Sequence, residues 1–308
     1  MDSGKTDAGA RAAAAAPSVA AAAPAASPPS AATRQDAAPI YRLEQLAVRH
    51  IGGTRALALQ DIDLHIAPGE QVALIGPSGA GKTTLLATLA CAHQPESGRF
   101  EAFGGDPWTL PDGERHRLRA RLFLAPQTPP LPPRQRVVTA VLAARLPHWS
   151  LWRALLSLLR PADPEAAFRA LSRFHLGDKL YARVDRLSGG ERQRCGLARL
   201  LLSTAQALLV DEPLSALDPA LSQLTLNTLQ QEAAQRQAAL VCSLHQVDLA
   251  LSHFPRIVAL KEGRIVFDLP RGQVTEAMIA ELYLGEQAPA NSPHPQTLQD
   301  KLAVGACL

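Results

Sequence analysis

Residues 76–84, GPSGAGKTT, have the spacing GxxxxGK[ST] of a phosphate-binding loop. They follow an apolar run and precede a helical run, which is the context that such a loop requires. Glycines allow the backbone to wrap a phosphate chain, Lys82 can reach the β- and γ-phosphates, and the Thr83 hydroxyl can hold Mg²⁺. An ordinary glycine-rich turn is the alternative, and the complete motif in its context argues against it. The candidate nucleotide ligands are Gly76, Pro77, Ser78, Gly79, Ala80, Gly81, Lys82, Thr83 and Thr84.

Polar side chains also follow three other apolar runs. The four runs are typical of strands buried on both faces of a parallel sheet, and they cover 71–75, 121–125, 207–210 and 239–243. Gln127 follows the second run, Asp211 and Glu212 follow the third, and His245 follows the fourth. Since sites in such sheets form at the carboxyl ends of the strands, these groups should meet beside the phosphate loop if the strands are neighbours.

Each of these side chains suits one step of phosphate-ester hydrolysis. Asp211 can hold Mg²⁺, Glu212 can deprotonate the attacking water, and Gln127 can bind the metal or the water. His245 can hydrogen-bond the γ-phosphate. Taken singly, Gln127 in a proline-rich loop is better interpreted as a surface residue and His245 after a strand as a structural residue, and the Asp-Glu pair before Pro213 could form a simple turn. Together with the phosphate loop, they favour the functional interpretation.

A second anion-binding candidate is LSGGERQR, residues 187–194, here called the signature segment. Ser188 followed three residues later by Glu191 predicts a capping box at a helix start. The N–H groups at such a start attract anions. The segment is therefore a second candidate anion-binding site, in addition to the phosphate loop.

Around these motifs the pattern is mixed α/β. Strands are predicted at 41–50 and 56–66, helices at 82–92, 191–204 and 219–236, and a helical subdomain without strands at about 128–186. The segment 1–38 is rich in alanine and proline and predicts a disordered tail, with another tail at 287–308.

Composition limits the function classes. The chain has 308 residues, of which 47% are hydrophobic and 19% charged, and a net charge of +3, which gives no case for a nucleic-acid partner. Four cysteines without a CxxC pair indicate reduced thiols rather than a zinc or disulfide framework. No run is long and apolar enough to predict a membrane span.

In the order of its motifs, the chain resembles the ATP-binding subunits of ATP-binding cassette (ABC) transporters over about residues 40–285. The matching residues are GPSGAGKTT, Gln127, LSGGERQR, LLVDEP, SALD at 215–218 and His245. The resemblance implies a P-loop NTPase cassette over 39–286, with a mostly parallel core sheet, an antiparallel β subdomain and a helical subdomain. It also implies ATP and Mg²⁺ as cofactors and a head-to-tail dimer with two ATP molecules at its interface.

The resemblance also assigns roles. Asp211 resembles the Walker B carboxylate, with Thr83 and Gln127 beside it at the metal, and Glu212 resembles the catalytic base. Ser188, Gly189 and Gly190 resemble the signature that closes on a partner's ATP, Asp218 resembles the loop residue that links the two sites, and His245 resembles the switch histidine. The family has an aromatic residue that stacks on adenine, whereas this chain has His50 at that position.

At a finer level, CSLHQVDLAL, EGRIVFD and the stretch from Leu146 to Leu171 are similar to the phosphonate importer ATPases. The implied function is energising uptake of phosphonate, phosphite or a related oxyanion. The implied partners are a membrane permease dimer and an extracytoplasmic phosphonate-binding protein, and the implied location is the cytoplasmic side of the bacterial inner membrane. Two alternatives remain open: an ABC ATPase for another small molecule, and a non-transport subunit of a phosphonate-degrading complex.

The stretch around Trp149 has two interpretations. Trp152, Leu155, Leu156 and Leu159 fall on one helix face, which predicts the core of the helical subdomain. Trp149 and Pro147 could instead help to form a groove for the permease.

Overall fold

The structure, a computed structural model of the chain, describes residues 38–50 and 56–285. The tails expected at 1–38 and 287–308 therefore lie outside the described residues, except for position 38, and so does Cys307.

The described strands form two sheets. The smaller one is antiparallel, in the order β2-β1-β4, and the larger one has the order β5-β6-β7-β3-β8-β9. In the larger sheet every pairing is parallel except that of β8 with β9. The strands are β1 (Tyr41–Arg49), β2 (Leu57–Ile66), β3 (Gln71–Ile75), β4 (Ser97–Ala102), β5 (Leu122–Ala125), β6 (Ala207–Asp211), β7 (Ala239–Ser243), β8 (Arg256–Lys261) and β9 (Arg264–Pro270).

The larger sheet is buried on both faces. Alternate residues of a strand point to opposite faces, and in β3 Ala73 and Ile75 join one hydrophobic core while Val72 and Leu74 join the other. The first core extends into the segment between β5 and β6, and the second includes residues of the helix after the phosphate loop and of the smaller sheet. Burial on both faces explains why the inner strands β3, β6 and β7 are largely apolar in sequence.

The helices connect the strands and cover the sheet. They are α1 (Lys82–Leu89), α2 (Asp112–Arg119), α3 (Val137–Leu142), α4 (Leu151–Leu159), α5 (Pro164–Ser172), α6 (Gly189–Leu202), α7 (Pro219–Arg236), α8 (Val247–His253) and α9 (Glu276–Leu282). Among the described residues, none of these helices combines the length and apolarity needed to cross a bilayer.

The expected fold class is confirmed: a mostly parallel core sheet is accompanied by an antiparallel sheet and by helices. The four predicted core strands are neighbours in the order β5-β6-β7-β3. Strands β4, β8 and β9 were not predicted. In β4 the first three residues are exposed, and β9 also lacks a continuous apolar run, so neither has a strong periodic signal.

One prediction about α4 is wrong. Trp152, Leu155, Leu156 and Leu159 do share a face of the helix, but that face is exposed and forms no core. The side that faces the protein carries the buried Ser157 and the half-buried Ala154. Periodicity locates an apolar face without saying what covers it. Trp149, just before the helix, does pack partly buried against the core, whereas Pro147 is exposed.

Candidate functional site

The phosphate loop leaves β3 in a conformation that needs glycine. Gly76 has φ 141°, and a Cβ there would lie 2.0 Å from the Leu260 carbonyl oxygen of β8. Another side chain would therefore meet both backbone strain and a collision. The loop ends at Gly81, after which α1 begins at Lys82. Neighbouring strands thus impose the turn that opens the loop.

Two side chains hold this loop in place. Lys82 is buried, and its Nζ donates to the carbonyl oxygens of Gly76 at 2.7 Å and Pro77 at 3.0 Å. The hydroxyl of Tyr283, just after α9, accepts a hydrogen bond from the Gly76 N–H at 3.2 Å. Lys261 binds the end of α9 by donating to the carbonyl oxygens of Glu281 and Leu284. Sequence reasoning assigned no role to Tyr283.

The carboxylate of Glu212 joins the ends of three strands. Its Oε2 accepts from Gln127 Nε2 at 2.7 Å, and its Oε1 lies 2.5 Å from His245 Nε2. Glu212 itself has φ 46°, in the left-handed region that non-glycine residues seldom occupy. Such strained conformations cluster at functional sites. The structure therefore brings together three polar groups that sequence reasoning placed at the same sheet edge.

Asp211 is buried at the end of β6 and is held by Ser243, the last residue of β7. The Ser243 hydroxyl donates to Asp211 Oδ1 at 2.6 Å and accepts from the Glu212 N–H at 2.9 Å. One hydroxyl therefore orients both acidic residues. Sequence reasoning missed Ser243, although a small polar residue ending an apolar strand was a usable signal.

Gln193 of α6 also contacts the acidic pair. Its Nε2 donates to the Glu212 carbonyl oxygen at 2.7 Å and to Ser215 Oγ at 3.3 Å. The signature segment is thereby connected to the end of β6. Gln193 lies within that segment, but its role was not anticipated because it depends on how α6 packs.

The signature segment starts α6 with the expected capping box. The Ser188 hydroxyl accepts from the Glu191 N–H at 3.2 Å, while Glu191 Oε2 accepts from the Ser188 N–H at 2.8 Å. Chiefly because of this backbone hydrogen bond, the pKa of Glu191 lies below its ordinary value. Ser188 and Gly189 are exposed, so their polar groups remain accessible.

The loop that carries Asp218 packs against this helix start. A Cβ on Gly190 would lie 2.7 Å from the Ala216 carbonyl oxygen, so the two segments are in close contact. Asp218 caps the next helix, α7, by accepting from the Leu221 N–H at 2.9 Å. Gly190 and Asp218 thus belong to two helix starts linked by one loop.

The proline-rich segment after Gln127 packs on the same helix. A Cβ added to Gly196 of α6 would lie 2.6 Å from Pro129 Cγ, which shows how closely the two residues approach. Hydrogen bonds from the N–H groups of Val184 and Asp185 to Gln135 and Pro133 fix the far end of the segment. The Gln127 loop is therefore connected directly to the signature helix.

His50 lies apart from the strand-end cluster. It is exposed directly after β1, and its N–H donates to the Ala56 carbonyl oxygen at 3.3 Å. Strand β2, which follows Ala56, packs directly on the phosphate loop, since a Cβ added to Gly81 would lie 3.0 Å from the Ala58 carbonyl oxygen. Among the described residues, His50 is therefore connected to the loop through the smaller sheet.

The remaining groups that could bind a metal ion or react are the acidic side chains, the histidines and the thiols. In the described parts of the chain, no three His, Cys, Asp or Glu side chains converge to form a metal site. The buried Asp211 carboxylate supplies an oxygen of the kind that binds Mg²⁺ together with substrate phosphates. Burial raises the pKa of Cys91 and Cys195 to about 12 and also raises that of the free, buried Cys242, so these thiols are unreactive.

The sequence matches known proteins over most of its length. A "Phosphonates import ATP-binding protein PhnC 1" from Pseudomonas aeruginosa is 54% identical over 253 residues, covering 82% of this chain and 94% of the relative. A "Phosphonates import ATP-binding protein PhnC 2" from Albidiferax ferrireducens is 59% identical over 226 residues, covering 73% and 82% respectively.

Solved structures and a family profile give the same result. A dimeric bacterial ABC transporter cassette, MJ0796, superposes with a TM-score of 0.66 at 23% identity, covering 75% of this chain and 98% of the other. The cbiO1 protein from Clostridium perfringens has a TM-score of 0.64 at 22% identity, covering 80% and 94%. These two show the fold. The profile of the ABC transporter family matches residues 59–215. The profile and the relatives together establish that the chain belongs to the ABC transporter family.

Proposed function

We propose that this chain is the ATP-hydrolysing subunit of an importer that takes up phosphonates or related phosphorus oxyanions such as phosphite. The observation that carries the substrate class is the identity of 54% over 94% of the length of a phosphonate import protein. The observation that carries the chemistry is the cluster of Gln127, Glu212 and His245 at one sheet edge.

The phosphate loop binds the triphosphate of ATP. Its N–H groups and Lys82 contact the β- and γ-phosphates, so Lys82 exchanges its carbonyl partners in the loop for phosphate oxygens. Thr83, Gln127 and Asp211 would supply the hard oxygen ligands that Mg²⁺ prefers. Mg²⁺ held by these residues would supply positive charge beside the phosphates. His50 stacks on the adenine ring.

Glu212 takes the proton of the attacking water. Each carboxylate oxygen has two lone pairs, so Glu212 can accept a hydrogen bond from water while keeping Gln127 and His245. Ser243 and Gln193 fix the backbone of Glu212, and this orients the carboxylate. His245 contacts the γ-phosphate and loses this contact when hydrolysis releases the phosphate.

The second half-site requires a second copy of the chain. The Ser188 hydroxyl and the N–H groups of Gly189 and Gly190 bind the γ-phosphate held by the partner, and Asp218 connects the two sites of the dimer. Support comes from the accessibility of this helix start and from the likeness to a cassette solved as a dimer.

The remaining partners are a permease dimer and an extracytoplasmic phosphonate-binding protein, which places the chain on the cytoplasmic side of the bacterial inner membrane. A cleft of about 640 Å³ between the Gln127 loop and the start of α6 offers space for a permease segment. Movement of that segment would reach Glu212 through Gln127 and Gln193.

Deletion of the gene tests the substrate. We expect the deletion strain, freed of redundant systems, to grow on phosphate but not on a phosphonate as sole phosphorus source. The wild-type gene should restore growth, and the Glu212→Gln variant should not. Uptake of labelled phosphonate by intact cells separates import from degradation. A growth defect with undiminished uptake, or normal growth of the deletion strain, would contradict the proposal.

A further inference from the structure

The helix α4 presents its apolar residues to solvent and its polar residue to the protein. Trp152 is 83% exposed and Leu159 is 87% exposed, whereas Ser157 is 4% exposed. The exposed large side chains of α4, here called the α4 patch, are Leu151, Trp152, Leu155, Leu156, Leu158 and Leu159. An ordinary surface helix has the opposite orientation. Contiguous exposed patches of this kind mark interaction sites.

The geometry of α4 suits a flat apolar surface. At 100° per residue, the α4 patch covers an arc of roughly 160°, centred opposite the side where Ala154 and Ser157 face the protein. The helix has nine residues and is about 14 Å long, too short to span a bilayer and suited to lying along one. Trp152 belongs to a residue type that favours the boundary between lipid and water.

The charged residues around the α4 patch indicate what kind of surface it binds. The segment 137–162 contains three arginines and no acidic residue. Arg145 pairs with Asp163, while Arg153 and Arg160 are exposed at one border of the α4 patch. Long cationic side chains beside an apolar arc can reach lipid headgroups while the arc enters the acyl region. Anionic lipid headgroups therefore complement this border.

We propose that α4 binds the surface of an anionic membrane directly, with the α4 patch in the lipid and Arg153 and Arg160 at the headgroups. This contact goes beyond the proposed permease, because it needs no other protein. It would fix the orientation of the helical segment relative to the bilayer while leaving the phosphate loop free.

Flotation of the purified full chain with vesicles tests this proposal. We expect binding to vesicles of phosphatidylglycerol and phosphatidylethanolamine that weakens with salt, and at least tenfold weaker binding to pure phosphatidylcholine. The Leu155→Gln/Leu159→Gln variant should lose at least tenfold in binding to anionic vesicles, with basal ATPase activity unchanged. The matched control is Val266→Gln, which alters an exposed apolar residue on β9 and should bind like the wild type.

A second measurement locates the contact. In a chain with Trp108→Phe and Trp149→Phe, only Trp152 remains, and anionic vesicles should shift its fluorescence to the blue. Vesicles with brominated acyl chains should quench it. Arg153→Gln/Arg160→Gln should weaken binding and flatten its salt dependence.

Three outcomes would overturn the proposal. The first is an absence of wild-type binding to anionic vesicles, and the second is equal binding by the Leu155→Gln/Leu159→Gln variant. The third is an α4-dependent association without lipid, either between copies of the chain in sedimentation or with a co-expressed permease in detergent, accompanied by no vesicle binding.

Discussion

The Ser243 hydroxyl shows how much of the site depends on single atoms. It is buried, and it satisfies both an oxygen of Asp211 and the N–H of Glu212. A buried polar group that loses its partner costs about 1–3 kcal/mol. The positions of the two acidic residues therefore depend on a side chain from another strand.

We expect Ser243→Ala to lower kcat for ATP about tenfold. The two acidic residues would be less well oriented, which raises the activation free energy by about 1.4 kcal/mol. ATP affinity should change much less, since the phosphate loop is intact. The measurement is steady-state ATPase activity with nucleotide binding by titration. Ser222→Ala is the matched control, because Ser222 is buried and its hydroxyl has no hydrogen-bond partner among the described residues. Equal losses in the two variants would refute the role of Ser243.

A second prediction concerns pH and Glu191. The pKa of this carboxyl is lower in the folded protein than its ordinary value of 4.5. Ionised Glu191 therefore stabilises the fold at pH values above 4.5, and this stabilisation is lost as the pH falls through the folded-state pKa. Glu191→Gln keeps an acceptor for the Ser188 N–H but removes the titration. We therefore expect the free energies of unfolding of wild type and variant to differ at pH 7 and converge in acid.

The check is chemical denaturation between pH 7 and pH 3. Glu165→Gln provides the control, because Glu165 is an exposed carboxylate whose ion pair in the described part of the chain is with Arg169 of its own helix. A constant difference across this range, or convergence toward high pH, would contradict the assignment.

Residues such as Ser243 and Gln193 mark the limit of what sequence could predict at this scale. The phosphate loop is local in sequence, so its spacing was sufficient. The role of Ser243 depends on the register Asp211↔Ser243 between β6 and β7, and that of Gln193 depends on the packing of α6. Neither non-local arrangement is expressed in residue spacing.

At the scale of elements, the proline-rich segment and α6 behave as one unit, because Pro129 packs where Gly196 has no side chain. We expect Gly196→Ala to lower the free energy of unfolding by about 1–3 kcal/mol through overpacking, and to lower ATPase activity. Pro129→Gly removes the opposing atoms. The double variant should therefore lose less stability than the sum of the two single changes.

Denaturant titration of the four chains in this cycle measures the coupling. The control is Gly113→Ala in α2, where an added Cβ meets nothing within 4 Å. It should be neutral or slightly stabilising, since alanine favours a helix more than glycine does. Additive losses in the cycle would show that the contact does not couple the elements.

The elements predicted well are those with one dominant signal. Strands β3, β6 and β7 are short and apolar because both faces are buried. The edge strand β5 is also short and apolar, although it is mostly half-buried. The helix α4 was expected from its apolar face, yet the environment of that face was predicted wrongly. An apolar arc satisfies the same periodicity whether a core or an outside surface covers it.

At the scale of the whole molecule, the separation of the phosphate loop from the signature segment predicts complementation between inactive chains. A chain that carries either Glu212→Gln or Ser188→Arg should bind ATP without hydrolysing it. In a head-to-tail pair of the two variants, one composite site keeps both Glu212 and Ser188. An equal mixture with random pairing should therefore recover about a quarter of the wild-type rate.

The rate of phosphate release after mixing is the measurement. As a control, Ser188→Arg mixed with a chain carrying both substitutions leaves no intact composite site and should stay inactive. Failure of the first mixture to recover activity, although the chains exchange, would place each site within a single chain.

The hydrogen bond between Tyr283 and Gly76 connects the carboxyl-terminal end of the described chain to the phosphate loop. A chain truncated before Tyr283 loses this hydrogen bond to the phosphate loop. We therefore expect the truncation to affect the loop as an active-site substitution would. Conversely, ATP bound in the phosphate loop should slow amide hydrogen exchange in α9. Hydrogen exchange in this helix would then report whether nucleotide is bound.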